Sequence, residues 1–194
     1  MHKEALSALA IALAFIAFIP YIRSIRREQT RPHVFSWVVW GTTTLIVFMA
    51  QLAAGGGAGS WPTGVNGAVT MYIAFLAYRK KSDISITRAD RLMFLAAMGC
   101  LPLWYLTSDP LWAVVVLTAV DTLGFGPTVR KAYSQPFEEN LTFFSIFVAT
   151  NLLIIAALER YSLTTVLFPA TISATTLALV IMAFFRRRIL LKKD

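Results

Sequence analysis

Cysteine and histidine are scarce in this chain of 194 residues. The one cysteine, Cys100, cannot form an internal disulfide, which excludes a disulfide-stabilised scaffold. The two histidines, His2 and His33, form no cluster with metal-ligand spacing, and no nucleophile–base pair lies within an apolar run. The sequence therefore predicts a protein that is not an enzyme and that uses no cofactor or metal.

Charge is also scarce, since 14% of the residues are charged and 57% are hydrophobic. Seven apolar stretches are long enough, or nearly so, to cross a hydrocarbon core, which takes roughly 20 helical residues. We expect helices because lipid offers no hydrogen-bond partner to a bare backbone. The stretches are Ala5–Ile22, Val34–Ala54, Trp61–Tyr78, Leu92–Leu106, Leu111–Val129, Leu141–Leu158 and Ser162–Phe185. The fourth is the shortest, and together they predict one all-α integral membrane domain with seven transmembrane helices.

The net charge of +8 is distributed in a way that argues against a nucleic-acid partner. Lys and Arg concentrate in alternate connections, whereas Gly55–Ser60 has none and Thr107–Asp109 carries only an acid. The basic residues of these connections and of the tail are Arg23, Arg26, Arg27, Arg31, Arg79, Lys80, Lys81, Arg88, Arg91, Arg130, Lys131, Arg186, Arg187, Arg188, Lys192 and Lys193. This positive-inside pattern predicts an N-terminus outside and a C-terminus in the cytoplasm, with membrane lipid as a partner of the basic tail.

The sequence aligns with itself, without a gap, when it is shifted by 107 residues. The matched positions are Pro20 with Pro127, Arg23 with Arg130, Pro62 with Pro169, and Arg79–Lys81 with Arg186–Arg188. Few side chains are identical, but prolines that shape helices and basic helix ends recur at one offset. Internal repeats are typical of secondary transporters, in which the solute binds between the two units.

The seven predicted spans divide as three, one and three. Residues 1–81 form the first three-helix unit, residues 82–107 a linker helix, and residues 108–194 the second unit with the basic tail. An odd number of helices in each unit requires a linker span if both units are to begin on the same side. The sequence therefore predicts two parallel three-helix repeats joined by a linker helix.

Two pairs of stretches carry a resemblance to a known family. In each unit, a first helix that ends in proline is followed by a basic loop and by a helix that carries Ser or Thr. The stretches are Phe18–Arg23 with His33–Trp37, and Phe125–Lys131 with Leu141–Thr142. Together with the repeat, which covers nearly the whole chain, they resemble the PQ-loop superfamily, which includes the SWEET sugar transporters. The resemblance implies a seven-helix transporter of a divergent, prokaryotic branch.

Asp121 is the one acid well inside a predicted apolar span, about ten residues from its start and so near the bilayer midplane. An ionised carboxylate there costs at least ~2.5 kcal/mol, so it needs a partner, water or a proton. One interpretation is a proton-coupling or substrate-binding group. The resemblance supports proton coupling, because some proton-coupled PQ-loop exporters carry an aspartate in the corresponding helix. The other interpretation is a structural acid that is hydrogen-bonded by Thr118 and Thr122.

Other candidate substrate-binding residues lie at matched positions of the two units. Asn66 matches Ser173, and Thr44 matches Asn151. The resemblance implies amide side chains around a sugar at the positions of Asn66 and Ser173. A hydrogen bond between helices, worth about 0.6–2 kcal/mol in lipid, is an equally good interpretation of each buried polar group.

Trp40 and the two matched prolines complete the candidate site. Trp40 would give a ring-shaped ligand an aromatic wall, although packing at the membrane interface is the favoured interpretation. Pro20 and Pro127 each lie near the inner end of the first helix of a unit. Because proline removes a backbone donor, either residue would serve as a hinge in alternating access or as a static kink.

These features together predict a small-solute transporter or facilitator of a prokaryotic inner membrane, working by alternating access between the two repeats. The solute is left open between a sugar, an amino acid and a vitamin-like molecule, and so is assembly into a homo-oligomer. The alternative is a non-transporting membrane receptor or assembly factor with the same bundle. The run Gly55–Gly59 lacks the strand context of a phosphate loop, and we expect it to be a flexible turn.

Overall fold

The computed structural model describes residues 2–28, 32, 34–80, 86, 88–137 and 140–191, with the backbone alone at positions 89, 90, 127, 130 and 131. The regular elements of these residues are all helical, which confirms the predicted all-α class. The helices are α1 (His2–Arg26), α2 (Val34–Ala53), α3 (Trp61–Arg79), α4 (Arg88–Thr107), α5 (Pro110–Gly124), α6 (Gly126–Ser134), α7 (Leu141–Ala157) and α8 (Leu163–Leu190), with a short 3₁₀ turn at Gly57–Ser60. The predicted unit boundary at 81–82 and the basic residues Arg31, Lys81, Lys192 and Lys193 lie outside the described residues.

Three helices begin at side-chain caps that the sequence carries just before an apolar run. Asp109 accepts a hydrogen bond from the backbone of Leu111 at 2.9 Å, and Asn140 accepts one from Phe143 at 3.0 Å. Ser162 forms a reciprocal capping box with Thr165 at the start of α8. Each cap satisfies a backbone donor that has no partner within its own helix, and so fixes where the helix begins.

Four of the predicted spans differ from the helices by several residues, and two of them, Ala5–Ile22 and Ser162–Phe185, are shorter than α1 and α8. The fourth is not the shortest, because α4 has 20 residues and α5 has 15. The fifth, predicted to continue through Val129, stops at Gly124, and α6 begins two residues later. Pro127 is the second residue of α6, where a missing N–H is tolerated because the first turn has no intrahelical acceptor for it.

Three helices of the described chain, α1, α2 and α8, are long and apolar enough to cross a membrane. Shorter apolar helices occupy Arg91–Thr107, Pro110–Gly124 and Leu141–Ala157. Large apolar side chains are exposed on the outside of the bundle, among them Ile16, Phe75, Leu106 and Leu177. The chain therefore has the surface and helix composition of a membrane protein.

We call α1, α2 and α3 the first helix group and α5, α7 and α8 the second; α1 packs more extensively against α7 than against α3. In the first group α3 packs against both α1 and α2, and in the second α8 packs against both α5 and α7. The groups meet where α1 contacts α7 and where α2 contacts α5, while α4 lies against α5 and α2. The α2–α3 contact is close because Gly67 has no side chain, and a Cβ there would lie 2.9 Å from a methyl carbon of Leu45.

The connection between α2 and α3 is not the flexible turn expected from its glycines. It packs against the segment that joins α7 to α8, where Glu159 donates its backbone N–H to the Gly56 carbonyl at 3.1 Å and accepts from the Ala58 N–H at 3.0 Å. A Cβ on Gly59 would overlap the backbone of Leu158. Glycine is therefore required here by close backbone contact.

The opposite end of the bundle carries the basic helix ends. Lys80 forms a 3.0 Å ion pair with Glu28, and Arg26 donates to the Tyr72 hydroxyl at 2.9 Å. Arg186, at the end of α8, donates to the Tyr133 carbonyl at 3.2 Å. The connections with few basic residues and the basic helix ends thus lie at opposite ends, as the charge pattern requires.

Candidate functional site

Asp121 lies where the two helix groups meet. It is 8% exposed and points from α5 toward α2, where its Oδ1 accepts a hydrogen bond from the Thr43 hydroxyl at 2.7 Å. Thr43 is fully buried, and its hydroxyl oxygen also lies 2.9 Å from the Trp40 carbonyl. One buried carboxyl therefore joins a helix of the second group to a helix of the first.

The partner of Asp121 is not among those that the sequence predicted. Thr118 donates to the Val114 carbonyl at 2.6 Å, and Thr122 donates to the Thr118 carbonyl at 2.7 Å. A helical threonine readily bonds the carbonyl four residues earlier, so neither hydroxyl serves the carboxyl. Thr43 was missed because it is 78 residues away in sequence.

Trp40 packs directly beside this pair. Gly124 lies one turn beyond Asp121 on α5, and a Cβ added there would be only 3.1 Å from the indole nitrogen of Trp40. Trp37 contacts Trp40 edge-on with ring centroids 5.7 Å apart, and it stacks on Tyr21 at 5.2 Å. A cluster of Tyr21, Trp37 and Trp40 thus lies along α2 on the side of Thr43 away from the Gly55–Ser60 connection, and Trp40 contacts α5 one turn from Asp121.

Asn66, Ser173 and Asn151 are all buried, whereas Thr44 is half-buried. Asn151 donates to the Phe147 carbonyl of its own helix at 2.9 Å. Among the described residues, no hydrogen bond joins these four side chains to one another or to Asp121. The structure thus brings Asp121 and Trp40 together and leaves the other four as separate polar positions.

The two predicted hinge residues differ in their local structure. Pro20 lies inside α1, which continues to Arg26, whereas Pro127 lies in the first turn of α6 just after the helix break at Phe125. The Phe125 N–H donates to the carbonyl of Asp121 at 3.1 Å, so α5 closes normally before the break. Whether either position moves stays a prediction.

Gln51 is a buried polar residue that the sequence analysis did not select. It is fully buried in the last turns of α2, and its amide nitrogen donates to the Thr165 carbonyl of α8 at 2.9 Å. It provides a second polar contact between the two helix groups. An amide near the end of an otherwise apolar span was the sequence feature that would have indicated it.

The family models, curated proteins and solved structures compared with this chain include no match.

Proposed function

We propose that this protein is a small-solute membrane transporter that works by alternating access between its two helix groups, with Asp121 as the proton-coupling residue. The observation that carries the proposal is the buried hydrogen bond between Asp121 and Thr43. It lies at the contact of the two groups, and this is where relative motion would change the surroundings of the carboxyl. A buried ionisable group in an apolar bundle is by default the first candidate for a functional residue.

The helix packing supports two repeated units around a linker. In both groups the third helix packs against the other two, and the first helix of one group contacts the second helix of the other. This is the pattern expected of two related units facing each other across a pseudo-two-fold axis. We therefore retain seven transmembrane segments in a three, one and three arrangement, with α5 and α6 sharing the fifth.

A membrane location is supported by the exposed apolar surface and by the three helices long enough to span. Soluble monomers rarely expose apolar patches of more than a few hundred Å², whereas lipid favours such a surface. The separation of basic helix ends from the opposite connections supports a cytoplasmic C-terminus. The PQ-loop resemblance, the prokaryotic inner membrane and assembly into a homo-oligomer are parts of the same proposal.

The geometry around Thr43 suits a carboxyl that gains and loses a proton. The hydroxyl has one hydrogen and two acceptors in reach, at 2.7 Å on Asp121 and 2.9 Å on Trp40. With Asp121 ionised, the hydroxyl donates to the carboxylate. With Asp121 protonated, the carboxyl donates to the Thr43 oxygen and the hydroxyl turns to the Trp40 carbonyl. Both protonation states are hydrogen-bonded, so proton binding requires only rotation of one hydroxyl.

The test is proton-coupled uptake by the purified protein in liposomes that contain a pH-sensitive dye. Pools of sugars, amino acids and vitamins are added with and without an imposed pH gradient, and active pools are then separated into single solutes. We expect one solute to move with protons, and Asp121→Asn to abolish gradient-driven uptake while exchange at equal concentrations survives. Solute binding without flux would favour the receptor alternative.

Asp109→Asn provides a matched control on the same helix. Asp109 is exposed and caps the N-terminus of α5 through the Leu111 N–H, a role that asparagine performs equally well. This variant should transport as the unmodified protein does. Gradient-driven uptake that survives in Asp121→Asn would remove the coupling role and leave a passive facilitator.

A further inference from the structure

Four buried oxygen atoms receive no hydrogen bond from any described group. They belong to Gln51, Ser60, Thr63 and Asn66, residues with exposures of 0%, 0%, 2% and 7%. In the described part of the chain, these four are the buried side-chain nitrogen or oxygen atoms without a hydrogen-bond partner. All lie in the last turns of α2 or around the first turns of α3. Such a concentration indicates one common cause, because unpartnered buried polar atoms are rare.

We call these four residues the column, because Ser60, Thr63 and Asn66 follow one another along the start of α3 and the backbone of Gln51 lies beside Ser60 at Gly56. Ser60, Thr63 and Asn66 recur at three-residue intervals, which at ~1.5 Å per residue spans about 9 Å along α3. A Cβ on Gly56 would overlap the Ser60 hydroxyl and lie 2.9 Å from the Gln51 carbonyl, so this connection covers the outer end of the column. Asn66 forms its inner end.

The chemistry of the four atoms identifies the missing partner as a hydrogen-bond donor. Amide oxygens only accept hydrogen bonds, and hydroxyl oxygens have acceptor capacity as well as one hydrogen to donate. Water supplies two donors and commonly satisfies buried polar groups. One hard cation fits less well, because its ligands lie about 2.3–2.6 Å from it and cannot spread over such a column.

We propose that Gln51, Ser60, Thr63 and Asn66 bind a short chain of buried waters, separate from the Asp121–Thr43 pair. The water site does not depend on the transport function proposed above. If the protein does transport, the same waters provide a polar route from beneath the Gly55–Ser60 connection to the middle of α3. Its existence can be tested without knowing the solute.

Thr63→Val tests the site because it removes the hydroxyl and keeps the shape of the side chain. In a hydrated site the variant loses bonds to water, and its melting temperature falls or stays unchanged. In a dry interior it removes an unsatisfied atom, and the melting temperature rises, by about 2–4 °C for a chain of this size. Such a rise would overturn the proposal. Thr150→Val is the control, because that buried hydroxyl already donates to Ile146 at 2.9 Å.

A thiol at the same position gives a second, independent measurement. In a Cys100→Ala background, Thr63→Cys should react with a small water-soluble methanethiosulfonate at least about tenfold faster than Thr150→Cys, because the reaction needs a hydrated thiolate. Equal, slow rates at the two buried positions would contradict a water-filled site. The comparison remains informative even if Thr63→Val folds poorly.

The nature of the occupant is tested with salts of equal ionic strength. The melting temperature of the unmodified protein should be the same in sodium, potassium and N-methylglucamine chloride if water occupies the column. A stabilisation specific to sodium or potassium that Thr63→Val abolishes would replace the water chain with a cation site.

Discussion

The hydrogen bond between Thr43 and Asp121 makes a quantitative prediction about stability. Thr43→Val preserves the branched shape and removes the hydroxyl that lies 2.7 Å from the carboxyl oxygen. Both residues are buried, so the carboxyl would keep no described hydrogen-bond partner. A hydrogen bond between neutral groups contributes about 0.5–1.5 kcal/mol, and one to a charged group about 1.5–3 kcal/mol. We therefore expect Thr43→Val to lower the free energy of unfolding by the smaller amount if Asp121 is protonated and by the larger amount if it is ionised.

The assay is a double-mutant cycle with Thr43→Val and Asp121→Ala, measured by reversible unfolding in detergent. The cycle isolates the energy of the pair from the packing changes that each substitution causes. Thr43→Ser keeps the donor and should retain most of the coupling. A coupling energy of zero within error would refute the hydrogen bond as a stabilising contact and, with it, the main support for a coupled carboxyl.

Three other predictions concern the connections and the topology. Gly59→Ala should lower the melting temperature because an added Cβ overlaps a neighbouring backbone, whereas Gly99→Ala, which meets no atom within 4 Å, should be neutral or stabilising by up to about 1 kcal/mol. Equal effects of the two would contradict the close packing. Glu159→Ala should speed amide exchange in the connection before α3, while Glu159→Gln, which keeps an acceptor, should change it little. Cysteines replacing the exposed Tyr161 and Gln135 should react with impermeant reagents from opposite sides of the membrane, and labelling from one side would exclude the proposed spans.

The sequence predicted the helices best where an apolar run is bounded by clear end signals. Predicted and observed bounds of α2, α3 and α7 agree within one residue, since turn residues or caps flank each run. The break after Gly124 was missed because hydrophobicity continues through Val129, although the glycines on either side of Phe125 and the following proline indicated it. Apolar content alone does not distinguish one helix from two in sequence.

The candidate site was predictable only where the local sequence is sufficient to indicate a residue. Asp121 stands out because a carboxylate inside an apolar run is costly, and this reasoning requires only local sequence. Its partner Thr43 does not stand out, because Thr42, Thr43 and Thr44 are adjacent and only helix packing decides which one faces α5. The buried column that includes Gln51 and Thr63 likewise depends on where the connection before α3 lies.

The contacts of Glu159 also give one end of the bundle resistance to opening. At this end, polar bonds join one helix group to the other, from Glu159 to Gly56 and Ala58, and from Lys3 to Ala156. The two hydrogen bonds of Glu159, one from its backbone N–H and one to its carboxylate, contribute about 1 kcal/mol each. Together they would reduce the population of any state in which the helix groups separate at this end by roughly thirtyfold. The bundle would therefore rest with this end shut.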